Sequence, residues 1–417
     1  MHPEEKLYFL FSPGDISVDQ RYPVFDFLAI FPPMKKSLNK LILLLIILVT
    51  NCKLQVTSYS AQTPGVIRVA IIQDADSLRL KIKGPYKVVN CSTGGIESYG
   101  TDVATTVTAY KDAILIAGQR IRTACLVIKT GQPTPILIDG RMFRGDIKLI
   151  RKDDGHLLVV NQIDVEDYVK GILYHEVSHY WPEQALNAQA VACRTYALYQ
   201  MQENKSRDYD VTADIYSQVY GGRTSERYRT NKAVDDTRDQ IIVYQGKLIP
   251  AYFHATCGGH TEDASLLWNI DLPPLKGVAC NFCHDSPHFK WHAVIPLDEI
   301  EDALTKAGQA IRRIRRIAIS GTDASGRVTD INIISDEKTI KIPGKDFRSI
   351  LGSNGIRSTD FQVTIADSDA VFEGSGWGHG VGLCQWGAYF MAKQGATSKE
   401  IIQYYYPGVE ITAVGSF

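Results

Sequence analysis

Apolar and polar residues alternate in short runs from residue 67 to about 160. Examples are Ile67-Arg68-Val69-Ala70-Ile71-Ile72, Leu78-Arg79-Leu80-Lys81-Ile82 and Gly145-Asp146-Ile147-Lys148-Leu149-Ile150. Turn-prone groups such as Thr93-Gly94-Gly95 and Asp153-Asp154-Gly155 separate them, so a β-rich module is predicted over 64–160. At Val165 the period changes. Val165, Val169, Ile172 and Leu173 share one helical face, and Glu176 lies three residues beyond Leu173 and four beyond Ile172, so it continues that stripe. A second helix is expected from Pro182 to about Asn204. Pro182 suits its first position, Glu183 suits the positive helix end, and Leu186, Ala190, Cys193, Ala197 and Met201 form its buried face.

Farther on, 210–291 reads as mixed strand and loop. A short helix follows, with Asp298 as N-cap and Gly308 as its stop. Segments 317–319, 328–334 and 338–342 read as a small meander closed by Pro343-Gly344. The chain ends with a glycine-rich loop and a helix from about 388 to 405. The order of elements predicts an α+β protein: a β-rich N-terminal module, then a mixed helical and β core over 161–417 with an inserted subdomain at about 295–365.

A carboxylate on an inward helix face is desolvated, which raises its pKa and keeps it protonated nearer to neutral pH. A general acid needs that state. If the helix frays here, Glu176 faces water instead, and position alone leaves both outcomes open.

The chain has 417 residues, a formal net charge of −1 and 45% hydrophobic residues. That length suits two or three domains. No basic excess is available for phosphates, which excludes nucleic acid as the main partner. The basic run Arg312-Arg313-Ile314-Arg315-Arg316 is expected to be a solvated face. Over 1–61 a leader is expected. Lys35, Lys36 and Lys40 precede the apolar run Leu41-Ile42-Leu43-Leu44-Leu45-Ile46-Ile47-Leu48-Val49. That run falls short of the about 20 residues a bilayer span requires, and it fits a secretory signal. Met34 offers an alternative start, and Ser58-Tyr59-Ser60 supplies small residues for cleavage. Lipidation at Cys52 is a lesser option because Asn51 is large for that position. The mature protein is therefore expected outside the cytoplasm, with membrane contact only through an uncleaved signal or a lipid anchor. Buried free thiols are the default expectation for Cys91, Cys125, Cys193 and Cys384.

Three blocks give the chain its resemblance. The first is Val165-Glu166-Asp167-Tyr168-Val169-Lys170-Gly171, with His175-Glu176 and then the helix from Pro182 through Gln189, Arg194 and Tyr196. The second is Ser217-Gln218-Val219-Tyr220-Gly221-Gly222. The third is Gly376-Trp377-Gly378-His379-Gly380-Val381-Gly382-Leu383-Cys384-Gln385-Trp386-Gly387-Ala388, ending in Tyr404-Tyr405-Tyr406-Pro407-Gly408. From Ile67 onward the chain resembles the SpoIID/LytB family of cell-wall proteins. The resemblance implies a lytic transglycosylase acting on peptide-stripped peptidoglycan glycan strands, with the catalytic glutamate at Glu176 and no cofactor needed for the chemistry. The alternative it leaves, from the way some family members are described, is a non-catalytic wall-binding protein that enhances an N-acetylmuramoyl-L-alanine amidase. Ordinary glycosidases use two carboxylates. A transglycosylase manages with one, because the sugar's own 6-hydroxyl is the nucleophile.

The glycine-rich block lacks the surroundings of a nucleotide loop. Its expected use is a bare backbone that admits a polymer, with Trp377 and Trp386 as flat faces for sugar rings and His379 and Gln385 as hydrogen-bonding groups. A core role explains either tryptophan equally well. Arg194 is expected to line the groove. Tyr168, Gln218 and Tyr220 are candidates for binding or for packing. Cys257-Gly258-Gly259-His260 and Cys280-Asn281-Phe282-Cys283 have the spacing of a structural zinc site on Cys257, His260, Cys280 and Cys283, with His254 and His284 as alternative fourth ligands. A disulfide or free thiols remain open there. Some family members carry Cys/His ligands just before the Gln-Val-Tyr segment; here Asp210 to Ser217 offers none.

Overall fold

The computed structural model describes residues 65–131 and 134–415. The leader, Met34, the cleavage site and Cys52 lie outside the described residues. The chain is α+β. Strands β1 (Val66–Ala75), β2 (Ser77–Asn90), β3 (Ile96–Tyr110), β4 (Ala113–Ile116), β5 (Gln119–Ile121), β6 (Cys125–Thr130), β7 (Ile136–Ile138), β8 (Arg141–Phe143), β9 (Asp146–Arg151), β10 (Leu157–Asp164) and β11 (Val211–Thr212) form one sheet. Its main path runs β11-β1-β10-β9-β6-β2-β3-β4-β5, with β7 and β8 extending from β2. Alternation works as expected: Leu78, Leu80 and Ile82 of β2 are buried and their neighbours are exposed. Cys91 and Cys125 form a disulfide joining the turn after β2 to the start of β6, which corrects the expectation of free thiols at both positions.

Helix α1 (Val165–Glu176) leaves β10 directly. The Asp164 carboxylate caps it by accepting from the Glu166 N–H at 2.9 Å, and the Val177 N–H closes it on the Leu173 carbonyl. Helix α2 (Glu183–Glu203) differs from the expected amphipathic element. Every residue from Ala185 to Thr195 is buried, because Ala, Cys, Val and Thr cover all its faces and let neighbours approach from every side. Helix α1, helix α3 (Tyr228–Asp236) and strand Gln240–Tyr244 pack around it. So do the two C-terminal helices described below.

After the short helix α4 (Ala264–Trp268) come strands and helices packed on a hydrophobic cluster of Trp291, Ile300, Leu304, Ile331, Phe347 and Phe372. Strand Lys290–Pro296 pairs with Asp369–Ser375, which pairs with Phe361–Ala366. Beside them lies the meander Ile314–Thr322, Val328–Ser335 and Thr339–Pro343. Helix α5 (Leu297–Lys306) is preceded by Pro296 as N-cap, so Asp298 sits in the first turn rather than capping it. Helix α6 (Gly344–Leu351) follows the meander. The basic run is solvated as expected: Arg312 and Arg315 pair with Asp302 and Asp336 at the surface. The single C-terminal helix expected is two, α7 (Gln385–Lys393) and α8 (Ser398–Tyr405). Gly395 takes φ +96° in the break, and a Thr397/Glu400 capping box starts the second.

Candidate functional site

Glu176 is the last residue of α1, and its side chain lines a cleft of about 700 Å³. The cleft is also lined by Ile215 to Ser217 and Val219, by Tyr252 to Ala255, by the glycine-rich block with Trp377, Gly378, His379 and Gln385, and by Tyr196, Trp268, Arg348 and Ser349. A second cavity of about 350 Å³ shares Trp268, Arg348, Gly378 and His379 with the first, so the two lie side by side. Lys345 and Asp346 line this second part. Among the residues lining the Glu176 cavity, Glu176 is the only carboxylate. Burial pushes its pKa up to about 7, against the Val219 backbone amide and the Gln385 side chain, which favour the charged form. The negative end of α1 also opposes ionisation there.

Three histidines, His175, His254 and His379, line the cleft with Glu176. The His175 ring is held to the Ser225 hydroxyl at 2.5 Å, and its pKa is lowered by burial and by Arg227. His254, 4% exposed, contacts the Val381 carbonyl through Nδ1 at 3.1 Å; its Nε2 is buried without a hydrogen-bond partner. Burial, then His379 and Arg327, hold His254 neutral. With Nδ1–H donating to a carbonyl, Nε2 is left as an acceptor in the cleft wall. His379 accepts from the Val381 N–H at 3.1 Å, and burial lowers its pKa to about 3. Phe253–His254 pairs in parallel with Leu383–Cys384, which brings these two histidines together, ring centroids 5.6 Å apart.

The structure sorts the sequence-derived candidates. Trp377, His379 and Gln385 line the cleft with Glu176. Trp386 does not; it packs against Trp181 and Tyr389 at 5.1 and 5.2 Å. Arg194, expected in the groove, is fully buried and grips Glu166 through two bonds of 2.6 and 2.7 Å. Tyr168 donates to Gln218 at 3.1 Å and Tyr220 to Asn161 at 2.7 Å, all within the core. Only Gly378 of the alternate glycines lines the cleft. A Cβ on Gly376 would meet the Thr256 carbonyl at 2.6 Å and one on Gly382 the Tyr252 carbonyl at 2.1 Å, so the glycines chiefly let the loop lie against 252–257 rather than admit a polymer.

Sequence reasoning passed over Tyr196, Ile215, Tyr216, Tyr252, Trp268 and Arg348 as cleft residues. A usable signal existed in the second block. Extended segments alternate, so Ser217 and Val219 face the cleft while Gln218 and Tyr220 face the core. The cysteine cluster also differs from the one expected. Cys257, Cys280, Cys283 and Cys384 come together, all buried, with sulfur atoms within 4.8 Å of one another. His260 is not among them; its Nδ1 lies 2.6 Å from the Thr261 carbonyl. His254 belongs to the cleft and His284 is at the surface beside Asp285. Cys193 is a buried free thiol, as expected.

The family model described as stage II sporulation protein matches residues 153–244, and a domain of unknown function matches 278–382. An uncharacterized protein of Brachyspira hyodysenteriae is 34% identical, covering 85% of this chain and 94% of its own length. Stage II sporulation protein D of Bacillus amyloliquefaciens is 30% identical over 62% of this chain and 77% of its own length. The amidase enhancer of Bacillus subtilis is 28% identical, over 59% of this chain and 40% of its own length. The chain belongs to the SpoIID/LytB family.

Proposed function

We propose that the protein is a peptidoglycan lytic transglycosylase acting on peptide-stripped glycan strands, with Glu176 as both acid and base. The observation that carries this reading is a carboxylate poised to be protonated near pH 7, the only one lining a cleft of about 700 Å³ with aromatic walls. Protonated Glu176 gives its proton to the glycosidic oxygen, and the bond from that oxygen to the sugar C1 breaks. The carboxylate then takes the proton of the same sugar's 6-hydroxyl as that oxygen attacks C1. An anhydro ring closes, no water is consumed, and Glu176 ends protonated as it began. A single carboxylate suffices because the nucleophile arrives with the substrate.

The walls suit a sugar polymer. Tyr216 is 86% exposed and Trp268 41% exposed at the groove, an arrangement that offers flat apolar faces to passing rings. Lys345 and Arg348 supply cations to a strand whose lactyl carboxylates are bare once stem peptides are gone. The Cys91–Cys125 disulfide favours an oxidising, extracytoplasmic setting. Similarity to the amidase enhancer supports a second reading, a wall-binding protein that stimulates an amidase.

Digestion of peptide-free strands, followed by mass spectrometry, separates the two. Wild-type protein should release anhydro-ended fragments and Glu176→Gln should release none. Equal products from both, or none from wild type alongside undiminished amidase stimulation by the variant, would overturn the enzyme reading.

A further inference from the structure

Four cysteines from three separate segments meet just behind the cleft wall. Cys257 follows strand Phe253–His254, Cys280 and Cys283 flank a short turn, and Cys384 ends strand Leu383–Cys384 at the start of α7. Their sulfur atoms all lie within 4.8 Å of one another, and Cys257 and Cys283 Sγ are 3.4 Å apart. Four thiolates held at about 2.3 Å from one zinc ion lie about 3.8 Å from each other. The cluster therefore has the span of a single tetrahedral centre, too tight for a cubane of iron and sulfide.

The surroundings match sulfur atoms that carry charge. The Cys257 and Gly387 N–H groups donate to Cys384 Sγ at 3.3 and 3.4 Å, and the Gly259 N–H donates to Cys257 Sγ at 3.5 Å. The Tyr405 hydroxyl lies 3.2 Å from Cys280 Sγ. Neutral thiols packed as small apolar groups need no such donors, whereas metal thiolates are oriented and stabilised by them.

We propose that Cys257, Cys280, Cys283 and Cys384 bind one zinc ion, and that this ion fixes the inner wall of the cleft. Binding releases the four thiol protons to solvent and closes the coordination shell, so the ion is structural. Its reach follows from the sequence neighbours of each ligand. Gln385, which acts on Glu176, comes directly after Cys384. Thr256, which precedes Cys257, exchanges two backbone bonds with Trp377, at 3.1 and 2.8 Å. The zinc thus ties the strand carrying His254 to the loop carrying Trp377 and Gln385.

Full-length protein, purified without added reductant or chelator, should carry one zinc per chain by elemental analysis and by native mass. Stripped of metal and refolded with cobalt(II), it should show intense thiolate-to-cobalt charge-transfer absorption. Cys384→Ser and Cys280→Ser should lose the zinc, and His260→Ala should keep it. Wild-type protein holding iron instead, or four free thiols, or disulfides among these cysteines, overturns the proposal. Zinc retained in Cys384→Ser but lost in His260→Ala overturns the ligand set. The wild-type measurements decide the matter even if a variant does not fold, and none of them depends on glycan cleavage.

Discussion

At Glu176 burial and hydrogen bonding pull in opposite directions. Desolvation raises the carboxyl pKa to about 7, while the Val219 amide and Gln385 favour its ionised form. A raised pKa alone does not single out the acid. Glu262 is also pushed up to about 7, by burial and then by Asp323, yet it lies under the glycine loop, 3.7 Å from Arg327 and away from the cleft. Location decides between them. Because the acid must start protonated, kcat/KM should fall as pH rises through about 7. Gln385→Ala removes a group that favours the charged form, so its descending limb should lie at higher pH than in the wild type. Initial rates between about pH 5 and 9 test both points; a flat profile, or a limb shifted downward by the variant, would exclude Glu176 as the acid.

Helices α1 and α2 are locked together by the Glu166–Arg194 pair, which is almost fully desolvated. Arg194 also donates to the Val234 and Gln240 carbonyls, and Glu166 accepts from the Asp239 N–H at 3.3 Å. Arg194→Leu strands a buried carboxylate and should cost about 3–5 kcal/mol of stability, whereas adding Glu166→Leu should recover much of it. Urea denaturation measures this, and a loss below about 1 kcal/mol would show the pair to be dispensable. This locking was not legible from periodicity. Alternation marked the strands of the N-terminal sheet and α1 correctly, because one face of each is solvated. In α2 both faces are buried, so no stripe distinguishes Arg194 in the core from Arg194 in a groove. Helix α3 was lost among loops because only Thr230, Ala233 and Val234 of it are buried. The fourth cysteine was hidden by distance, since Cys384 lies 127 positions from Cys257 while His260 lies beside it.

Across the whole molecule, the groove is built by parts that are far apart in sequence. The catalytic candidate comes from α1, one wall from the glycine-rich loop, and another from α6. That helix brings Lys345, Asp346 and Arg348 to the second cavity. Arg348 is braced by its Nε–H to the Ile356 carbonyl at 3.1 Å, and exposed Lys345 reaches the Leu267 carbonyl at 2.8 Å. Under the proposed function, α6 would present Lys345 and Arg348 to a negatively charged strand beside the cleft that holds Glu176. Charge reversal at Lys345 should act on binding and leave the chemistry alone. Lys345→Glu should raise KM on stripped strands about tenfold, the worth of one charge-assisted hydrogen bond, with kcat unchanged. Amidating the lactyl carboxylates should remove the difference between variant and wild type, because the charge being read is gone. An unchanged KM on stripped strands would mean that α6 supports the fold without touching the glycan.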